Sequence, residues 1–103
     1  MAEVRLTAWE GADPPTESSL RARMESEDLQ PYSWSNGPGD VYAAHKHDYD
    51  KVICVVSGSI SFGLAPQRRE IEMRAGDRLD LPAGTVHEAR VGPEGVICLE
   101  AHR

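Results

Sequence analysis

The sequence predicts an all-β fold, an antiparallel barrel with one short N-terminal helix. Two observations carry this. From Gly39 onward, apolar segments of strand length recur at a spacing of about ten residues. Between them stand Gly, Pro, Asn and Asp, the residues that supply turn geometry. A length of 103 residues suits one domain. Residues 1–38 read as an N-terminal strand, helix and connector, and residues 39–103 as the core.

"EVRLTAW" alternates Val4, Leu6 and Ala8 against Glu3, Arg5 and Thr7, a strand with one buried face. Gly11 and the pair Pro14-Pro15 end it. Thr16 is a good N-cap for a helix near residues 16–29, with Glu17 in the first turn, where the helix dipole favours an acid. Leu20, Met24 and Glu27 share one helical face, a narrow stripe suited to lying on a surface. "QPYSWSNGPG" is a connector rich in turn residues. Then "VYAAHKH" alternates, and "KVICVV" is a continuous apolar run with both faces covered. "SGS" turns into "ISFGLA", "PQRR" into "EIEMR", "AGD" into "RLDLP", "AG" into "TVHEARV", and "GPEG" into "VICLEAHR".

The net charge is -6, from 17 acids against 11 bases. That balance argues against a nucleic-acid partner, which needs a basic face. No apolar run approaches the length of a membrane span, and the N-terminus lacks a basic region followed by an apolar stretch. Cys54 and Cys98 each sit in an apolar run and read as buried core thiols rather than a disulfide. The expected compartment is the cytoplasm.

His45 and His47 are two apart, so on a strand both point to one face and can meet one ion. His87 follows the Pro82-Gly84 turn. Three imidazoles from two strands would make an open metal site, with positions left for water or substrate.

The spacing of these residues resembles both motifs of the cupin family. The first motif runs Gly, five residues, His-x-His, three residues, Glu, six residues, Gly; Gly39, His45, His47 and Gly58 match it. The second runs Gly, five residues, Pro-x-Gly, two residues, His, three residues, Asn; Gly76, Pro82, Gly84 and His87 match. Two positions depart: Lys51 stands at the Glu and Val91 at the Asn. The resemblance implies an antiparallel jelly-roll (cupin) barrel with both motifs in residues 39–103. It also implies one divalent transition metal inside it, held by His45, His47 and His87. Imidazole ligands suit Zn, Ni, Mn, Fe or Cu. Cupins host many chemistries, so the fold alone selects none.

Lys51 is the candidate catalytic residue and the site's anomaly. An ammonium beside a dication is unfavourable. Lys51 either turns to an acid such as Asp50 or Asp80, serves as a neutral base or nucleophile, or holds an anionic ligand where no metal binds. A bulge in the hairpin would instead bring Asp48 or Asp50 to the missing carboxylate's place. Without that carboxylate, three neutral imidazoles leave the ion's charge uncompensated and favour an anionic fourth ligand. His102, Asp80 and Tyr42 are further candidates for the cavity wall. Tyr49, Trp9 and Trp34 read as packing residues, and Arg68-Arg69 as a solvated turn.

Three functions fit. One is a metal-dependent enzyme, dioxygenase- or isomerase-like, acting on a small anionic organic molecule. The second is a non-catalytic small-molecule-binding or sensing barrel. The third is a structural barrel with a vestigial site. "EVRLTAW" is the strand expected to pair across a two-fold, because an exposed edge strand invites a partner. Light scattering is expected to give the mass of a homodimer; a monomer mass would remove that expectation.

Overall fold

The computed structural model describes residues 3–65 and 68–103. Among these residues, seven strands and one helix follow in order: β1 (Arg5–Thr7), α1 (Glu17–Glu25), β2 (Tyr32–Asn36), β3 (Val41–His45), β4 (Lys51–Leu64), β5 (Arg69–Arg74), β6 (Arg78–Leu81) and β7 (His87–His102). All strand pairs are antiparallel. β4 and β7 pair from Lys51↔His102 to Leu64↔His87 and form the spine. Around one half of the spine the order is β1-β6-β4-β7-β2. Around the other half β5 joins β4 and β3 joins β7.

The expected closed barrel is not formed. The strand order is jelly-roll-like, but the path has two ends, and β1 and β2 are not hydrogen-bonded to each other. β1 has three residues and pairs with β6, and β2 has five and pairs with β7. Curvature comes instead from bends in the two long strands.

Those bends replace two expected turns. "SGS" and "GPEG" lie inside β4 and β7, which run on through them. The β4–β7 register shifts between Val55 and Ser57, and again between Gly58 and Ile60. Gly58 and Gly95 have φ of 77° and 78°, a left-handed backbone that costs a residue bearing a Cβ. The two meet face to face: a Cβ on Gly58 would run into the Gly95 carbonyl oxygen. A bulge shifts side-chain parity by one. In β4 the inward residues are Ile53 and Val55 before the bend, then Ile60, Phe62 and Leu64 after it. In β7 they are Ala89 and Val91 before, then Val96 and Cys98 after. Each half of each strand therefore faces the same interior. The expected "PQRR" turn includes Pro66 and Gln67, which lie outside the described residues.

The outward residues of the spine need a cover, and α1 supplies it. Leu20 and Met24 pack with Leu29, Val52, Cys54, Leu99 and Ala101. Both faces of "KVICVV" are thus buried, as its unbroken apolar pattern predicts. Thr16 caps α1 as expected: its hydroxyl accepts from Ser19 N at 3.1 Å, while Ser19 Oγ accepts from Thr16 N at 3.0 Å. Glu27 lies past the end of α1 and binds the guanidiniums of Arg78 and Arg103 instead of continuing the apolar stripe. Leu6, expected on a buried face, is 38% exposed on edge strand β1. Cys54 and Cys98 are buried free thiols, and burial pushes them up to about 11 and about 12. No helix of the described residues is long and apolar enough to cross a membrane.

Gly58→Ala is expected to cost more than about 2 kcal/mol, combining left-handed strain with the collision at Gly95. Gly84 also has a positive φ, 81°, but open space where a Cβ would stand. Gly84→Ala should cost only about 1 kcal/mol. Urea midpoints compare the two, and equal losses would contradict the bulge contact.

Candidate metal centre

Three chain segments bring the histidines together. His45 ends β3 and lies directly across from His87, the first residue of β7. His47 stands just beyond β3, in the loop before β4, and not on the strand itself. One ring nitrogen of each histidine lies within 4.8 Å of those of the other two. Ring centroids are 4.3 Å apart for His45–His87, 4.9 Å for His45–His47 and 5.4 Å for His47–His87.

Each ring is held by its Nδ1. His45 Nδ1 donates to Ala43 O at 2.6 Å and His87 Nδ1 to Thr85 O at 2.9 Å. His47 Nδ1 lies 3.1 Å from Tyr49 Oη, and the two rings stack. With Nδ1 engaged, Nε2 is the atom each ring presents to the others. This is how a histidine is oriented to ligate a metal. His87 is 2% exposed, and burial lowers its pKa below the usual imidazole value, as do the neighbouring His45, Lys51 and His47. Burial lowers His47 too, helped by Lys51 and His45. Neutral imidazoles are the form that binds a metal. The donor set fits one divalent transition ion.

The histidines line a cavity of about 320 Å³, within the range of small-molecule pockets. Ile53, Ile60 and Phe62 give it an apolar wall, and Tyr32, Trp34 and Tyr42 an aromatic one. Lys51 and Glu100 are its charged residues.

Lys51 points into this cavity. Its ammonium is 3.5 Å from His47 Nε2 and 3.4 Å from Glu100 Oε1. The acid it turns to is therefore Glu100, not Asp50 or Asp80. Asp50 accepts from Ala83 N at 2.8 Å and braces the Pro82-Gly84 turn, and Asp80 pairs with Arg78 at 3.1 Å. Asp48 and Asp50 are both exposed, so no slip brings a carboxylate to the histidines. The β3–β7 register shift falls between Tyr42 and His45, before the loop.

Glu100 is the residue that sequence reasoning missed. It is 5% exposed, accepts three hydrogen bonds and lies in a longer ion pair with Lys51. Oε1 takes Trp34 Nε1 at 3.1 Å and faces the Lys51 ammonium, and Oε2 takes Tyr32 Oη and His102 Nε2, each at 2.7 Å. Burial alone would raise its pKa, but Tyr32, His102 and Lys51 outweigh burial and hold it below 4.5. Trp34 and Tyr49 also do more than pack, since one donates to Glu100 and the other stacks on His47. Tyr42 lines the cavity as expected, and His102 stands behind it against Glu100 and Tyr49. Trp9 packs against the α1 cluster, with Arg23 over its ring at 5.6 Å.

Glu100 ties stability to acidity. Its folded-state pKa is depressed, so its contribution is complete above the unfolded value near 4.5 and is lost as pH falls through the folded value. Wild-type stability is expected to fall below pH 4.5 partly through this group. Glu100→Gln should flatten that acid limb and cost about 3 kcal/mol at neutral pH, because Lys51 loses its counter-charge. Urea titrations across pH measure both, and an unchanged acid limb would contradict the role given to Glu100.

No family model and no curated protein matches the chain. Solved structures do. A conserved protein with a double-stranded β-helix domain from Klebsiella pneumoniae is 27% identical, with a TM-score of 0.61 over 70% of this chain and 64% of that one. An RmlC-like cupin from Shewanella frigidimarina is 23% identical, with a TM-score of 0.62 over 72% of this chain and 64% of that one. A structure from a study of the DMSP lyases RdDddP and RnDddQII is 26% identical, with a TM-score of 0.64 over 73% of this chain and 38% of that one. The match thus spans less than two thirds of each of these three proteins. With the clustered histidines, these likenesses support a cupin-like β-fold that carries a potential metal site.

Proposed function

We propose that this chain is a mononuclear metal-binding cupin and a metal-dependent enzyme acting on a small anionic organic molecule. His45, His47 and His87 hold one divalent transition ion through Nε2. The observation that carries the reading is the convergence of three ring nitrogens within 4.8 Å, each ring fixed by a partner at Nδ1. Lys51 takes the place of the glutamate in the first cupin motif, and among the described residues no carboxylate joins the three histidines. A bound ion would act as a Lewis acid on a substrate oxygen.

The chain's own residues do the rest. The apolar wall receives the substrate's organic body and displaces water. Glu100, ionised, pairs with Lys51 at the cavity and orients the Tyr32 and Trp34 rings through hydrogen bonds. The chemistry is of the isomerase, lyase or dioxygenase type, and the likeness to DMSP lyases supports an enzyme. A second reading is a non-catalytic ligand pocket, favoured by the Lys51 ammonium standing beside His47 Nε2. The exposed Leu6 on edge strand β1 supports a homodimer formed through that edge.

Zinc titration of untagged protein tests the site. Wild type is expected to bind one ion per chain. His47→Ala should weaken binding by more than about 100-fold, and Lys51→Glu should keep or strengthen it by restoring a carboxylate. A His47→Ala variant that binds zinc like wild type would replace the metal reading with the ligand-pocket one.

A further inference from the structure

We infer that Lys51 is the recognition point for a carboxylate of the ligand, which bridges the metal and the Lys51 ammonium. The inference rests on the metal reading above and names the chemistry of the ligand at that site.

The argument begins with an ammonium that is poorly satisfied where it stands. Lys51 is 12% exposed at its side chain and carries three donors. Its two partners among the described residues, His47 Nε2 at 3.5 Å and Glu100 Oε1 at 3.4 Å, are both distant. A charge-assisted bond closes to about 2.7–2.9 Å. Glu100 cannot swing closer, because Tyr32, Trp34 and His102 hold both its oxygens. It serves as a fixed tether, and Lys51 keeps donor capacity facing the cavity.

A metal at the histidines sharpens this need. His47 Nε2 gives its lone pair to the ion, and Lys51 loses that acceptor. The ammonium is then left near a dication. Three neutral imidazoles, one ammonium and one carboxylate leave a net charge of about +2 around a loaded site. A ligand carboxylate answers both demands: one oxygen goes to the ion and the other accepts from Lys51. The nearby Ile53, Ile60 and Phe62 suit a short carbon skeleton behind that carboxylate.

Binding of the anion and the metal must then be reciprocal. An anion that joins Lys51 to the ion tightens the ion by the factor by which the ion tightens the anion. Without Lys51 the anion meets the metal charge alone, and most of the coupling is lost.

Malonate and zinc are the probes. In wild type, malonate is expected to tighten zinc binding by about tenfold or more. In Lys51→Met, zinc binding persists but the malonate effect drops to about twofold or less. A second measurement needs no variant. The chain has two lysines, Lys46 and Lys51, and Lys46 is exposed. Acetylation read by mass spectrometry should show malonate slowing the modification of Lys51 in zinc-loaded protein, with Lys46 unchanged. Undiminished coupling in a folded Lys51→Met variant, or no protection of Lys51 in wild type, overturns the inference while the metal reading stands. Failure of wild type to take up zinc overturns both.

Discussion

The antiparallel pairing of β4 with β7 is the constraint on which the rest depends. It joins Lys51 to His102 at one end and Leu64 to His87 at the other. Without bends, such a ladder would be a long two-stranded ribbon. The bends at Gly58 and Gly95 fold the two halves around one interior and reset which side chains point inward. The reset matters for the site. His87 and Glu100 have opposite parity along one strand, yet both line the cavity. Only the bend between them allows this.

The electrostatics follow from that placement. Glu100 enters an apolar interior as an ion and survives there because three hydrogen-bond donors and the Lys51 ammonium face it. A buried charge without such partners would neutralise instead. Its position fixes Lys51, and Lys51 in turn lies against His47. The histidine cluster and the carboxylate cluster are therefore one connected structure, joined through a single ammonium. Two acids close to Lys51 in the sequence or the sheet are used elsewhere: Asp50 braces the turn before His87, and Asp80, with Glu27, holds Arg78 on the outside.

Much of this was legible in the sequence. The capped helix, the two-faced apolar run and the buried thiols follow from local pattern, and the gathering of His45, His47 and His87 from the resemblance to the cupin motifs. The turns were misread because a glycine at positive φ serves a hairpin and a bulge equally well. Gly58 and Gly95 carry no local mark that tells one from the other. Closure into a barrel was misread because the path ends are set by which strands meet, which periodicity does not encode. Glu100 was hidden by distance, since its partner Tyr32 is 68 residues away. One signal was present: in "VICLEAHR" the alternation puts Glu100 on the same side as Cys98, an acid at an inward position. The Lys51 anomaly was visible, but the acid it turns to was not among those near it in the chain.

The central claim is that three imidazoles form a single metal centre. X-ray absorption at the metal edge of untagged, zinc-loaded protein tests it most directly. The account predicts one ion per chain with three imidazole nitrogens at about 2.0–2.1 Å and a light oxygen ligand completing the shell. A shell containing sulfur, or one with fewer than three imidazoles, would contradict it.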